Sequence, residues 1–121
     1  MRAINVNNAN DYRDFLHAVD FENFDPINKP FGTEIPNTNP GVNLLYEPAY
    51  LPDGRIVYCS YNMLDQRGSQ GGDATGIYVI NQDGTGKSKI VDVSDMPSGF
   101  YYWFAALTAS PDGSTIAYVV M

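Results

Sequence analysis

The sequence is poor in the residues from which most catalytic centres are assembled. It has one cysteine, Cys59, and one histidine, His17, in 121 residues. A lone cysteine excludes an intramolecular disulfide and every metal pattern that needs two or more thiolates, while neither demanding nor excluding export. Positive charge is also scarce: seven Lys and Arg stand against 14 Asp and Glu, a formal charge of −7. Those seven are scattered from Arg2 to Lys89 with none beyond. No basic stripe exists to track a polyanion, which argues against nucleic acid and anionic membrane surfaces as partners. The opening residues, MRAINVNNANDYRDF, lack the apolar run of a signal peptide, and no stretch approaches the roughly 20 apolar residues of a membrane span. The reading is a soluble chain without membrane insertion.

Turn and strand chemistry is abundant instead. Hydrophobic residues make up 44%, nine Tyr and six Phe among them, alongside eleven Gly and eight Pro. That supplies a core and many reversals, and predicts an all-β fold. Residues 8–19 carry the one helix signal: Asn8 as a cap, Asp11 three positions on, and Tyr12, Phe15, Leu16 and Val19 on one face. FLHAVDF also reads as a strand. Asn23–Asn43 contains four prolines, which forbid a sustained helix and interrupt a ladder; Phe24, Ile27, Phe31 and Ile35 could pin it to a neighbouring surface. Residues 1–44 therefore read as an irregular extension with a possible short helix and a Pro-rich linker.

From residue 45 the period becomes that of strands: LLYEPAYL, RIVYCSYN, GIYVI, KSKIV, WFAALTAS and STIAYVVM. Pro52-Asp53-Gly54 recurs 59 residues later as Pro111-Asp112-Gly113, each copy between two apolar strands. Pro presets φ, Asp can accept a local backbone hydrogen bond and Gly accepts positive φ, so both copies should close hairpins. Asn81-Gln82-Asp83-Gly84-Thr85-Gly86 should do the same between GIYVI and Lys89-Ile90-Val91. The expected unit is a four-stranded antiparallel sheet near Glu47–Val91. The polar connection Met63–Thr75 extends from it, and a half-unit follows Asp92–Gly99.

The paired motifs resemble the WD40-like, or PD40, repeat of TolB-type β-propellers. Leu51-Pro52-Asp53-Gly54 with Ile56-Val57-Tyr58, then Gly76-Ile77-Tyr78-Val79-Ile80 with Asn81-Gln82-Asp83-Gly84, match one copy. Ser110-Pro111-Asp112-Gly113 with Ile116-Ala117-Tyr118 begins another. The resemblance covers about residues 45–121 and implies one complete blade (45–91) and a half blade (100–121). Such propellers close a ring of several four-stranded blades, so the resemblance also implies that a partner, further copies or further sequence complete the sheet edge, unless the chain is an atypical sandwich in which the N-terminal 45 residues cover the exposed faces. It suggests a periplasmic or extracellular setting.

Chemistry is thinner than architecture. Asp53, Asp112 and Asp83 each have a structural explanation in their turns, as do Pro52, Gly54, Gly84, Pro111 and Gly113. An EF-hand frame around Asp83 fails, because Val79 and Ile90 would take its first and twelfth positions. His17 has no nucleophile-elbow sequence to join, and Cys59 in VYCSY reads as a small buried hydrophobe. Glu34 and Glu47 read as surface acids, and Gly68, Gly71 and Gly72 lack the Lys-Ser/Thr of a phosphate loop. No catalytic residue, cofactor or metal is expected. Tyr50, Tyr101, Tyr102 and Trp103 are the candidate interaction surface, most of the aromatic run being available for packing. The expected function is a non-catalytic protein-interaction or scaffold module. The alternative is a piece of a propeller-containing enzyme or substrate-binding protein whose site lies elsewhere.

Overall fold

A computed structural model describes residues 2–5, 7–14 and 43–121. Their side-chain surroundings are described for Asn7, Asn8 and 43–121. Among the described residues the architecture is antiparallel β-sheet, with a 3₁₀ turn at Val93–Asp95.

Near the N-terminus, β1 (Arg2–Asn5) pairs with β2 (Asn8–Asp14), Ile4 lying opposite Tyr12. This corrects the helix reading of residues 8–14. Asn, Asp and Tyr are weak helix formers, and a partner strand ending three residues upstream offers them a ladder that an isolated turn of helix cannot match. Phe15, Leu16 and Val19, the FLHAVDF strand alternative, His17, the pinning residues of the Pro-rich stretch and Glu34 lie outside the described residues.

The main body is a meander in chain order: β3 (Asn43–Tyr50), β4 (Ile56–Asn62), β5 (Gly76–Ile80) and β6 (Ser88–Asp92). A separate hairpin follows, β7 (Phe104–Ala109) with β8 (Ile116–Val120). The four-stranded unit and the half-unit thus stand where the turn signals place them, with β3 starting earlier than Glu47. Each predicted reversal closes as expected. Gly54 N donates to Leu51 O at 2.9 Å, Gly84 N to Asn81 O at 3.0 Å and Gly113 N to Ser110 O at 2.9 Å. In each turn an aspartate carboxylate accepts from the backbone N–H two residues on: Asp53 from Arg55, Asp83 from Thr85 and Asp112 from Ser114.

Central strands β4 and β5 are buried on both faces, which is why they read as unbroken apolar runs. On one face Leu45, Ile56, Tyr58, Tyr78 and Ile80 form a cluster. On the other, Val57, Cys59, Ile77 and Val79 meet Phe104 and Leu107 of the hairpin, closed off by Leu51 and Val93. β7 lies against β3 and β4, and Phe104 meets Tyr118 edge to face at 5.8 Å. At roughly 1.5–3 kcal/mol per fully buried large side chain, this second cluster is what holds hairpin and sheet together. Gly76 is demanded by packing, since a Cβ there would stand 2.2 Å from Val91 O.

Candidate interaction surfaces

Because the sheet is a meander, its connections fall at two ends. At one end the β3–β4, β5–β6 and β7–β8 turns sit together: Gln82 Nε2 donates to Gly54 O at 2.7 Å, and a Cβ on Gly113 would lie 2.7 Å from Pro52 Cδ. The two Pro-Asp-Gly turns are therefore neighbours in space. A shallow cleft of about 320 Å³ between Asp53, Arg55, Asn81 and Asp83 opens there, and Asp53 pairs with Arg55 at 2.8 Å. These aspartates hold their turns. Hydrogen bonds from the Ser110 hydroxyl and from the Ser114 backbone and hydroxyl lower the Asp112 carboxyl to about 2, and those from Arg55 lower Asp53.

At the opposite end the 63–75 loop faces the segment between β6 and β7. The loop is anchored by two buried asparagines. Asn62 donates to Gly71 O and Asp73 O at 2.8 and 2.9 Å and accepts from the Leu64 and Asp65 backbones. Asn43 grips Asp73 N and O at 3.1 and 2.8 Å, and Lys87 closes an ion pair with Asp73 at 2.7 Å. Gln66 then reaches across. Its carbonyl accepts from Tyr102 N at 2.9 Å while its amide donates to Phe100 O, so one side chain imitates a strand neighbour for residues 100–102. The result is a cleft of about 400 Å³ lined by Leu64, Asp65, Arg67, Gln70, Phe100 and Tyr101.

This geometry sorts the aromatic candidates. Tyr101 is 82% exposed and projects at the cleft, and Tyr50, at the end of β3, is 53% exposed. Tyr102 and Trp103 are largely packed: the Tyr102 hydroxyl donates to Pro97 O at 2.9 Å, and Trp103 is sandwiched by Tyr46 and Tyr61, each 4.8 Å from it. Phe100, 64% exposed, joins the surface unforeseen. So do Leu64 and Arg67, whose loop carries no motif that would single them out. The Arg67 guanidinium forms no ion pair with another described residue.

A third surface emerges from comparing the two hairpins. β3 bulges between Tyr46 and Ala49 opposite Cys59 and Val57; β7 bulges between Ala105 and Thr108 opposite Val119 and Ala117. Glu47 and Ala106 sit in the bulges with φ of 53° each. The first strands correspond at 59 residues. The second strands correspond at 60, because the Pro111 turn takes one more residue, Ser110 N bonding Thr115 O where Leu51 N bonds Arg55 O. Thus Ile56, Tyr58 and Cys59 answer to Ile116, Tyr118 and Val119. Their burial does not agree. Ile56, Tyr58 and Cys59 are 0–2% exposed, whereas Val119 is 47% and Val120 39% exposed.

The open groups along β8 follow from the ladder. Met121 N and Trp103 N each donate to the other residue's carbonyl at 2.9 Å. Alternation then turns Val119 and Ala117 toward β7, and the N–H and C=O of Ile116, Tyr118 and Val120 toward the outer edge. No strand among the described residues pairs with that edge.

Burial pushes the Cys59 thiol up to about 12, so it is no nucleophile. Among the described residues no group of three His, Cys, Asp or Glu is placed to hold a metal ion, and no helix is long and apolar enough to cross a membrane. Comparison with protein-family models, curated proteins and solved structures finds no match.

Proposed function

We propose that this chain is a non-catalytic protein-interaction or scaffold module built from propeller-type repeats, with 45–91 as one blade and 100–121 as the first half of the next, and that it works within a larger propeller or assembly. One observation carries the reading. The same strand, bulge, Pro-Asp-Gly turn and strand occur twice, and positions sealed in the first copy are bare in the second. An uncharged strand with an open edge is a pairing surface in waiting, because unpaired backbone groups beside apolar side chains are stable only when covered. The aromatic cleft at the 63–75 loop offers a second place for contact, where Tyr101 and Phe100 present large rings at low entropic cost.

Where the carboxylates of Asp53, Asp65 and Asp112 are shifted, they are lowered by turn hydrogen bonds, the opposite of what a general acid requires.

A matched pair of substitutions tests the reading. Cys59→Lys places an ammonium in the packed interior and should cost more than about 3 kcal/mol, abolishing cooperative unfolding. Val119→Lys, at the equivalent position, should change stability by no more than about 0.5 kcal/mol. Equal damage from both, read by urea denaturation, would mean that the β8 surface is already covered within the chain.

A further inference from the structure

We infer that β8 is a docking edge for a single extended segment of a partner protein, one that carries the side-chain pattern of β5 and enters antiparallel in the register that β5 adopts on β4. The inference rests on the repeat reading above and adds to it the chemistry and orientation of the partner. In the first copy, Ile56, Tyr58 and Ser60 turn their backbone groups outward and meet Ile80, Tyr78 and Gly76. The outward groups of β8 belong to Ile116, Tyr118 and Val120, the residues that correspond to them. Transferring the register places a tyrosine of the incoming segment opposite Tyr118, an aliphatic residue opposite Ile116 and a small residue opposite Val120. The model for that tyrosine pair is Tyr58 on Tyr78, stacked at 5.9 Å and 22°.

Charge separates this edge from the β6 edge of the four-stranded sheet. β6 carries Lys89, ion-paired with Asp92, on an exposed strand, the kind of charged edge that discourages pairing. β8, Ile-Ala-Tyr-Val-Val, has no charge to desolvate. The site is also continuous with an existing interface. Tyr118 and Ile116 from the hairpin and Val91 from β6 all border the buried cluster between hairpin and sheet, so a strand beside β8 extends a surface that is already packed.

A second copy of this chain fits the edge less well than one strand does. Its own β5 is paired on both sides and 0–5% exposed in its four apolar residues. Pairing β8 antiparallel with a second β8 requires a two-fold axis normal to the joined sheet. Both four-stranded sheets would then fall on the same side of it and compete for one volume. An extended segment makes neither demand, and adding a strand to an open edge is a recurrent mode of peptide capture.

The probe is the capped synthetic peptide Ala-Thr-Gly-Ile-Tyr-Val-Ile-Asn-Gln, residues 74–82 of this chain, added to the full chain. Binding is followed by calorimetry and by amide exchange resolved by NMR. The expected result is one peptide per chain, with exchange at Tyr118 and Val120 slowed at least about tenfold. A peptide with Pro in place of its Tyr should bind at least about tenfold more weakly, having lost one backbone bond and the ring stacked on Tyr118. Equal binding of the two peptides, protection elsewhere than β8, or concentration-dependent dimerisation of the chain alone that protects the same amides would each overturn the inference. If Tyr118 and Val120 exchange fast in the free chain and the peptide leaves them unchanged, the docking inference falls and the repeat reading stands. If they exchange slowly in the free monomer, both fall.

Discussion

Glu47 and Ala106, 59 residues apart, share a φ of 53° at the same point of the same bulge in two hairpins. Left-handed backbone costs an L-residue roughly 1–2 kcal/mol, and it persists here because each bulge aims the residues on either side of it. Tyr46 and Ala105 precede the bulge, Ala49 and Thr108 follow it, and one extra residue on the bulged strand restores the alternation. Gly at either position should be tolerated and raise stability by up to about 1 kcal/mol, the relief of strain exceeding the extra chain entropy. Ala106→Val should lower it by about 1–2 kcal/mol, since β-branching is least compatible with this φ. Urea midpoints of the three variants decide.

The aspartate at the second Pro-Asp-Gly turn gives a pH signature. Its folded pKa, about 2, lies below the ordinary value of 3.8. The folded state therefore binds fewer protons, and the stability this carboxylate contributes is complete above pH ~4 and is lost as pH falls toward ~2. Asp112→Asn should lower the urea midpoint slightly at pH 7 and converge with the parent near pH 2. A difference that stays constant across that range would contradict the assignment.

Gln66 is the clasp that presents Phe100 and Tyr101. Gln66→Ala should free the backbone of residues 100–102, costing about 1–2 kcal/mol for two partly exposed hydrogen bonds and accelerating exchange at Tyr102. Gln66→Glu keeps the acceptor for Tyr102 N but loses the donor to Phe100 O, so Tyr102 should remain the better protected of the two variants' amides. Identical exchange in both would argue against the clasp.

Asn62 anchors the 63–75 loop from a site 1% exposed. Asn62→Ala removes two donated and two accepted bonds, taking the donor from the Gly71 carbonyl and leaving the Asp73 carbonyl with Asn43 alone. The expected loss is about 2–4 kcal/mol. Asn62→Asp should be no better, because a carboxylate cannot donate to those carbonyls. Thermal unfolding monitored by circular dichroism measures both.

Turns were the most legible part of this molecule. Pro52, Asp53, Gly54 and their counterparts act within a few residues, so local chemistry fixes what they do, and the meander and half-unit follow. The bulges were invisible, because neither Glu47 nor Ala106 belongs to the residue types that favour positive φ. The helix expected at residues 8–19 failed over 8–14 because its spacing competes with a nearby partner strand, which lies outside the window that suggests it. The aromatic run could not be sorted from sequence either. Which of Tyr101, Tyr102 and Trp103 faces outward depends on Gln66, Tyr46 and Tyr61, all distant in the chain.

The difference between the two copies is tested most directly by amide exchange along their second strands in the free chain. Tyr58 and Ser60 should be strongly protected. Tyr118 and Val120 should exchange at least about a hundredfold faster, while Ala117 and Val119, bonded to β7, fall between. Protection at Tyr118 and Val120 equal to that at Tyr58 and Ser60 would show that the edge is already filled and would contradict the account.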